Sequence, residues 1–150
     1  MAKKMKILVP CDFSRHSLDT LRFALSLRDY FDAEYVLLHV VVTGEAETFA
    51  SLGGESTEIL GRRVADAQAE LEREVVRRQQ EISGVELSCR VASGVPFKEI
   101  CRLAEEENFQ LIVIGTHGRT GLAHLLIGST AERVVQHASC PVLSVKPQVL

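Results

Sequence analysis

Two kinds of segment alternate along this chain, and the alternation leaves few folds open. Lys6-Ile7-Leu8-Val9-Pro10 and the stretch from Glu34 to Val42 are short apolar runs suited to burial on both faces. Each is followed by a segment whose apolar residues recur at helical spacing. Ser14 sits where it can cap the first helix, in which Leu18, Leu21, Ala24, Leu25 and Leu27 mark one face. Leu60, Val64, Ala67, Leu71, Val75 and Ile82 mark a long second helix. Its charges Glu70, Glu72, Arg73, Arg77 and Arg78 are expected on a solvated opposite face. Before it lies a Gly-, Ser-, Thr- and Glu-rich loop, Thr43 to Glu58, long enough to expect a functional or mobile role.

The third strand reads differently. Val85, Leu87, Cys89 and Val91 alternate with Glu86, Ser88 and Arg90, and a period of two implies one exposed face, hence a sheet edge. Gly94-Val95-Pro96 ends it, and Pro96 suits the first turn of a helix containing Ile100, Leu103 and Ala104. Leu111 to Ile114 is a fourth strand. A helix from Ser129 to His137 follows, with Ala131, Val134, Val135 and Ala138, and Pro141 to Val145 is a fifth strand. Alternating β and α elements predict an α/β fold, a parallel sheet with helices on both faces. The simplest arrangement is a doubly wound five-stranded sheet of order 3-2-1-4-5, one domain over residues 1–150. Strand one then lies beside strand four, and ligands in such sheets bind at the carboxyl ends flanking that seam.

Composition sets the outer limits. With 150 residues, 46% hydrophobic and 25% charged, the chain fits one ordinary globular domain with a substantial core. A net charge of −3 gives no electrostatic footprint for nucleic acid. No apolar run approaches the roughly 18–20 residues that span a membrane, and the N-terminus does not read as a secretory signal. The expected compartment is the cytoplasm, with neither nucleic acid nor membrane as partner. Cys11, Cys89, Cys101 and Cys140 show no metal-ligand spacing and read as reduced, mostly buried thiols.

Gly115-Thr116-His117-Gly118, nine residues, then Gly128-Ser129 link the fourth strand to the last helix. Glycines let a ligand approach the main chain, and successive amides can form an anion nest. A helix start adds unpaired N–H groups and partial positive charge. Asp12, after strand one, would meet Gly115 at the seam. It can accept hydrogen bonds from ribose or adenine groups, help hold a metal, or simply close its own turn. His117 reads equally as a phosphate contact or as a hydrogen bond to the loop backbone, and Arg119 as a solvated charge. Ser129-Thr130-Ala131-Glu132 matches a capping box. A Gly-x-x-x-x-Gly-Lys-[Ser/Thr] loop, a Gly-x-Gly-x-x-Gly turn after strand one and a Gly-x-Ser-x-Gly elbow are all absent, which disfavours P-loop, dinucleotide and hydrolase chemistry.

The pattern Gly115-x2-Gly118-x9-Gly128-Ser129 resembles the ATP-binding signature of universal stress proteins. The resemblance extends to Pro10-x-Asp12-Phe13-Ser14, Leu38-His39-Val40 and Pro141-Val142-Leu143, and so covers nearly the whole chain. It implies ATP in the crevice, with Mg²⁺ or Mn²⁺ on the phosphates. By position it puts Pro10, Asp12 and Val40 around adenine and ribose, and Ile114 and Gly115 beneath the nucleoside. Gly118, Gly128, Ser129 and Thr130 fall at the phosphates, with His117 beside them. It also implies a homodimer formed through the last strand, Pro141 to Lys146. The expected function is an ATP-binding regulatory or stress-response switch. The alternatives are a slow ATP-hydrolysing or adenylate-handling enzyme of the related superfamily, and a dimeric scaffold. No general base or catalytic lysine is evident in the loop, which favours binding over fast catalysis.

Overall fold

A computed structural model describes residues 3–43, 57–117 and 128–147. Among the described residues, strands β1 (Met5–Pro10), β2 (Ala33–Val42), β3 (Leu87–Gly94), β4 (Leu111–Gly115) and β5 (Val142–Val145) alternate with four α-helices, and a 3-10 turn, Leu27–Asp29, follows the first of them. The α-helices are α1 (Arg15–Ser26), α2 (Thr57–Glu81), α3 (Pro96–Glu106) and α4 (Ser129–His137). The sheet has the order β3-β2-β1-β4-β5, and every neighbouring pair is parallel, as the alternation predicts. In β1–β4 the ladder pairs Ile7 with Leu111 and Leu8 with Ile112, below the level of Pro10 and Gly115.

Successive residues of a strand point to opposite faces, and β1 uses this to build two cores. Ile7 and Val9 join Leu21 and Leu25 of α1 and Leu71 and Val75 of α2. Leu8 joins Ile100 and Leu103 of α3 and Val134 of α4. All three β1 residues are fully buried. Burying each such aliphatic side chain contributes about 1.5–3 kcal/mol. Ser14 caps α1 as expected, its hydroxyl accepting from the Ser17 amide at 3.1 Å. Pro96 opens α3 at its first turn. The third strand is indeed an edge, but it runs from Leu87 to Gly94, so Val85 and Glu86 precede it rather than belong to it.

Other readings need correction. Arg78 is not solvated: it is 3% exposed, with its guanidinium 2.7 Å from buried Glu74 and 2.9 Å from Glu81. The inward face of α2 therefore carries Ala67, Leu71, Glu74, Val75 and Arg78, with a charge pair completing an otherwise apolar stripe. Conversely Val135, counted among the apolar residues of α4, is 52% exposed. Of the free cysteines only Cys11 is buried; Cys89, Cys101 and Cys140 are partly so. In the loop expected from Thr43 to Glu58, residues 44–56 lie outside the described residues, while Thr57 and Glu58 already belong to α2. Among the described residues no helix is long and apolar enough to cross a membrane.

Candidate functional site

Three pieces of backbone meet at the carboxyl end of the β1–β4 seam. The first is the turn from β1 into α1. Asp12 Oδ1 accepts the Ser14 amide at 2.9 Å, closing the turn. That geometry leaves Phe13 at φ 65°, a left-handed conformation unusual for a bulky residue and of the kind that concentrates at ligand sites. The Phe13 ring lies 4.5 Å from that of His39 on β2. His39 Nδ1 is 2.7 Å from the Cys11 carbonyl oxygen; a carbonyl only accepts, so Nδ1 carries the proton. Beneath the turn, burial pushes the Cys11 thiol up from its ordinary value, against the opposing hydrogen bonds from Ser17 and Phe13.

The second piece is the end of β4. A Cβ on Gly115 would lie 2.7 Å from the His16 ring and 2.9 Å from Thr20 Oγ1, so this glycine is required by the packing of α1. The Val145 carbonyl of β5 then gathers three donors: the Thr116 amide at 3.0 Å, the Thr116 hydroxyl at 3.3 Å and His16 Nε2 at 3.1 Å. His117 Nδ1 lies 2.7 Å from Thr116 Oγ1. Its Nε2 is buried and has no hydrogen-bond partner among the described residues.

The third piece is the start of α4. The first helical hydrogen bond runs from the Glu132 amide to the Gly128 carbonyl at 3.0 Å, so Gly128 is the cap and Ser129 the first helical residue. The Ser-x-x-Glu pattern is thus one position out of register for a capping box, which needs its serine at the cap. The amides of Ser129, Thr130 and Ala131 precede that first bond and have no acceptor within the helix.

A cleft of about 550 Å³ joins the three pieces. Pro10, Asp12, Val40, Ile114, Gly115, His117, Gly128, Ser129 and Thr130 all line it. Gly118 and Arg119 lie outside the described residues. Sequence reasoning missed the opposite wall, where α2 contributes Arg63, Asp66 and Glu70. Their spacing, with Ala67, already describes a single helical face. Phe13 and His39 also line the cleft. Among the described residues no group of three or more His, Cys, Asp or Glu is placed to hold a metal ion.

A family model described as the universal stress protein family matches residues 4–146. The universal stress protein MJ0531 of Methanocaldococcus jannaschii is 37% identical over 141 residues, covering 94% of this chain and 81% of its own. The solved structure of MJ0577, from the same archaeon, matches with a TM-score of 0.81 at 29% identity, covering 97% of this chain and 98% of that one. A universal stress protein family protein from Arabidopsis thaliana, solved with AMP bound, gives a TM-score of 0.65 at 23% identity. That match covers 97% of this chain and 93% of the other, a likeness of fold.

Proposed function

The chain belongs to the universal stress protein family, and from that premise we propose that it binds ATP with a divalent cation in the seam cleft and acts as a nucleotide-dependent regulatory switch. One observation carries this reading. Residues from the two ends of the chain, Pro10 and Asp12 on one side and Gly115 and Gly128 to Thr130 on the other, converge on a single cleft. The cleft is polarised. At one end the unpaired amides of Ser129 to Ala131 and the positive end of α4 favour phosphate. Asp12, Asp66 and Glu70, which line the same cleft, supply acceptors for ribose hydroxyls and an exocyclic amine. The AMP seen in the Arabidopsis neighbour agrees with this reading, although at 23% identity the likeness speaks for the fold.

In this reading Pro10, Asp12 and Val40 flank base and ribose, while Ser129, Thr130 and the Gly128 turn receive the phosphates. The cation neutralises phosphate charge. The protein self-associates through Pro141 to Lys146. Calorimetric titration with ATP and Mg²⁺ tests the reading directly: saturable one-site binding is expected, and no heat at millimolar ATP refutes it. Single-turnover assay with labelled ATP separates a switch from a slow hydrolase, since a switch leaves the nucleotide intact over many minutes.

A further inference from the structure

We propose that Cys101 and Cys140 are a redox pair that a hydroperoxide closes into a disulfide, clamping α3 to the chain that leads into β5. The inference goes beyond the nucleotide reading and does not depend on it.

The sheet sorts the four thiols between its faces. Cys11 and Cys89 pack with the core that α1 and α2 cover. Cys101 and Cys140 pack with the other core, beside Ile100 and Leu103 of α3 and Val134 of α4. These two helices touch. The Phe97 ring lies 5.4 Å from the ring of His137, and the Arg133 guanidinium lies 5.2 Å from the Phe97 ring centre. Beyond that contact α3 leads to the start of β4 and α4 to the start of β5. β4 and β5 are parallel neighbours, with Ile112 opposite Val142, so both chains continue toward the same end of the sheet. Cys101 stands one helical turn beyond Phe97, on the same face of α3. Cys140 stands three residues beyond His137, and the next carbonyl, that of Pro141, accepts the Ile112 amide at 3.0 Å. The two thiols therefore flank one seam, on the same side of the Phe97–His137 contact.

Both are free and partly exposed, whereas Cys11 is buried. Burial raises the pKa of each, and Cys140 raises that of Cys101 further, an effect that acts between close neighbours. Both thus stay protonated at neutral pH and react slowly. A sustained oxidant closes such a pair and a brief one does not.

The chemistry balances with a hydroperoxide as the oxidant. One sulfur, losing its proton, attacks the peroxide oxygen; the O–O bond breaks, water leaves and a sulfenic acid remains. The second thiol attacks that sulfur. The S–S bond forms and a second water leaves. The two thiols give up two electrons, and the peroxide takes them. The bond would close a loop from Cys101 to Cys140 that contains β4 and α4. Ile100, beside Cys101, and the start of α4 both line the cleft, so the clamp ties two of its walls together.

The test is oxidation of the reduced full chain with hydrogen peroxide, followed by alkylation of free thiols and peptide mapping without reduction. The Cys101 and Cys140 peptides are expected to appear joined, with Cys11 and Cys89 alkylated, and dithiothreitol should separate them. The oxidised protein should melt roughly 5–10 °C above the reduced one, as a loop of this length implies. Cys101→Ser and Cys140→Ser should each lose both effects, while Cys89→Ser keeps them. Separate oxidation of the two cysteines to sulfinic acid, or a link between chains instead of within one, overturns the inference. So does a joined form that melts no higher than the reduced protein, since the bond would then strain the fold instead of clamping it. The wild-type map decides on its own if a serine variant does not fold.

Discussion

The imidazole of His16 occupies the space that a side chain at Gly115 would need, 2.7 Å from where its Cβ would stand. The glycine at the end of β4 thus serves helix packing first, and its neighbours serve the cleft. Gly115→Ala should destabilise the fold by about 1–3 kcal/mol through overpacking, or roughly 2–4 °C in Tm per kcal/mol at this chain length. His16→Ala should remove much of that penalty. A double-mutant cycle by thermal unfolding checks it; additive effects would mean the two residues do not compete for space.

The buried pair of α2 makes an asymmetric prediction. Arg78→Ala leaves Glu74, 5% exposed, with only the half-exposed Arg77 guanidinium, also at 2.7 Å, as its ion-pair partner. Removing one member of a buried pair costs about 3–5 kcal/mol. Replacing both, as Glu74→Leu with Arg78→Met, should recover most of the loss. Urea unfolding of the three forms measures this.

Alkaline pH should weaken the fold through its thiols. Burial holds the Cys11 pKa above its ordinary value of 9.0, and Cys89, Cys101 and Cys140 are raised for the same reason. A raised pKa means that the unfolded chain loses its thiol proton first. Stability is then full below about pH 9 and falls as pH climbs toward the folded values. Cys11→Ala should flatten that decline. Unfolding free energies at pH 7, 9 and 10 test the slope.

Glu132 stands in the first turn of α4 but closes no capping box, because Gly128 rather than Ser129 is the cap and Glu132 lies one position beyond the one a box needs. Glu132→Gln should therefore leave helix stability nearly unchanged. It should raise ATP affinity by less than tenfold at low salt by removing a negative charge near the phosphates, and by less still at high salt. Weaker binding of the Gln form at both salts would show that the carboxylate supports the complex.

The edge strand β5 carries Val142, Leu143 and Val145, and Leu143 is 36% exposed. An unpaired apolar edge seeks a partner. Sedimentation should report a dimer at micromolar concentration and a monomer once Val142 and Val145 are both replaced by lysine. A wild-type monomer would remove the last strand as an interface.

The strand order was legible because every run was long enough to declare itself, and the alternation at Leu87, Cys89 and Val91 marked the edge. The helix Ser129–His137 was read with its bounds right but its cap one residue late, since glycine and serine are both good caps and only the hydrogen bond from Glu132 to the Gly128 carbonyl chooses between them. Arg78 was misread because a charge in a helical stripe looks solvated until its partner at Glu74 is seen to be buried with it. The α2 wall of the cleft was invisible for a different reason. Nothing local states which polar face of a helix borders a cavity; that depends on how far α2 reaches over β2.

The seam has a consequence for how the molecule is made. β1 pairs with β2 on one side and, across most of the chain, with β4 on the other. As the polypeptide leaves the ribosome, β1, α1, β2, α2 and β3 can assemble first as a half-sheet whose second edge, beyond the permanent one at β3, is the unpaired side of β1. That edge stays available to wrong partners until β4 arrives, and such late, long-range pairing is slow. The cleft cannot exist before then, nor its phosphate end before α4 has been added. On the proposed function, affinity for a nucleotide is therefore a property that the nascent chain gains only late, once β4 and α4 are both in place.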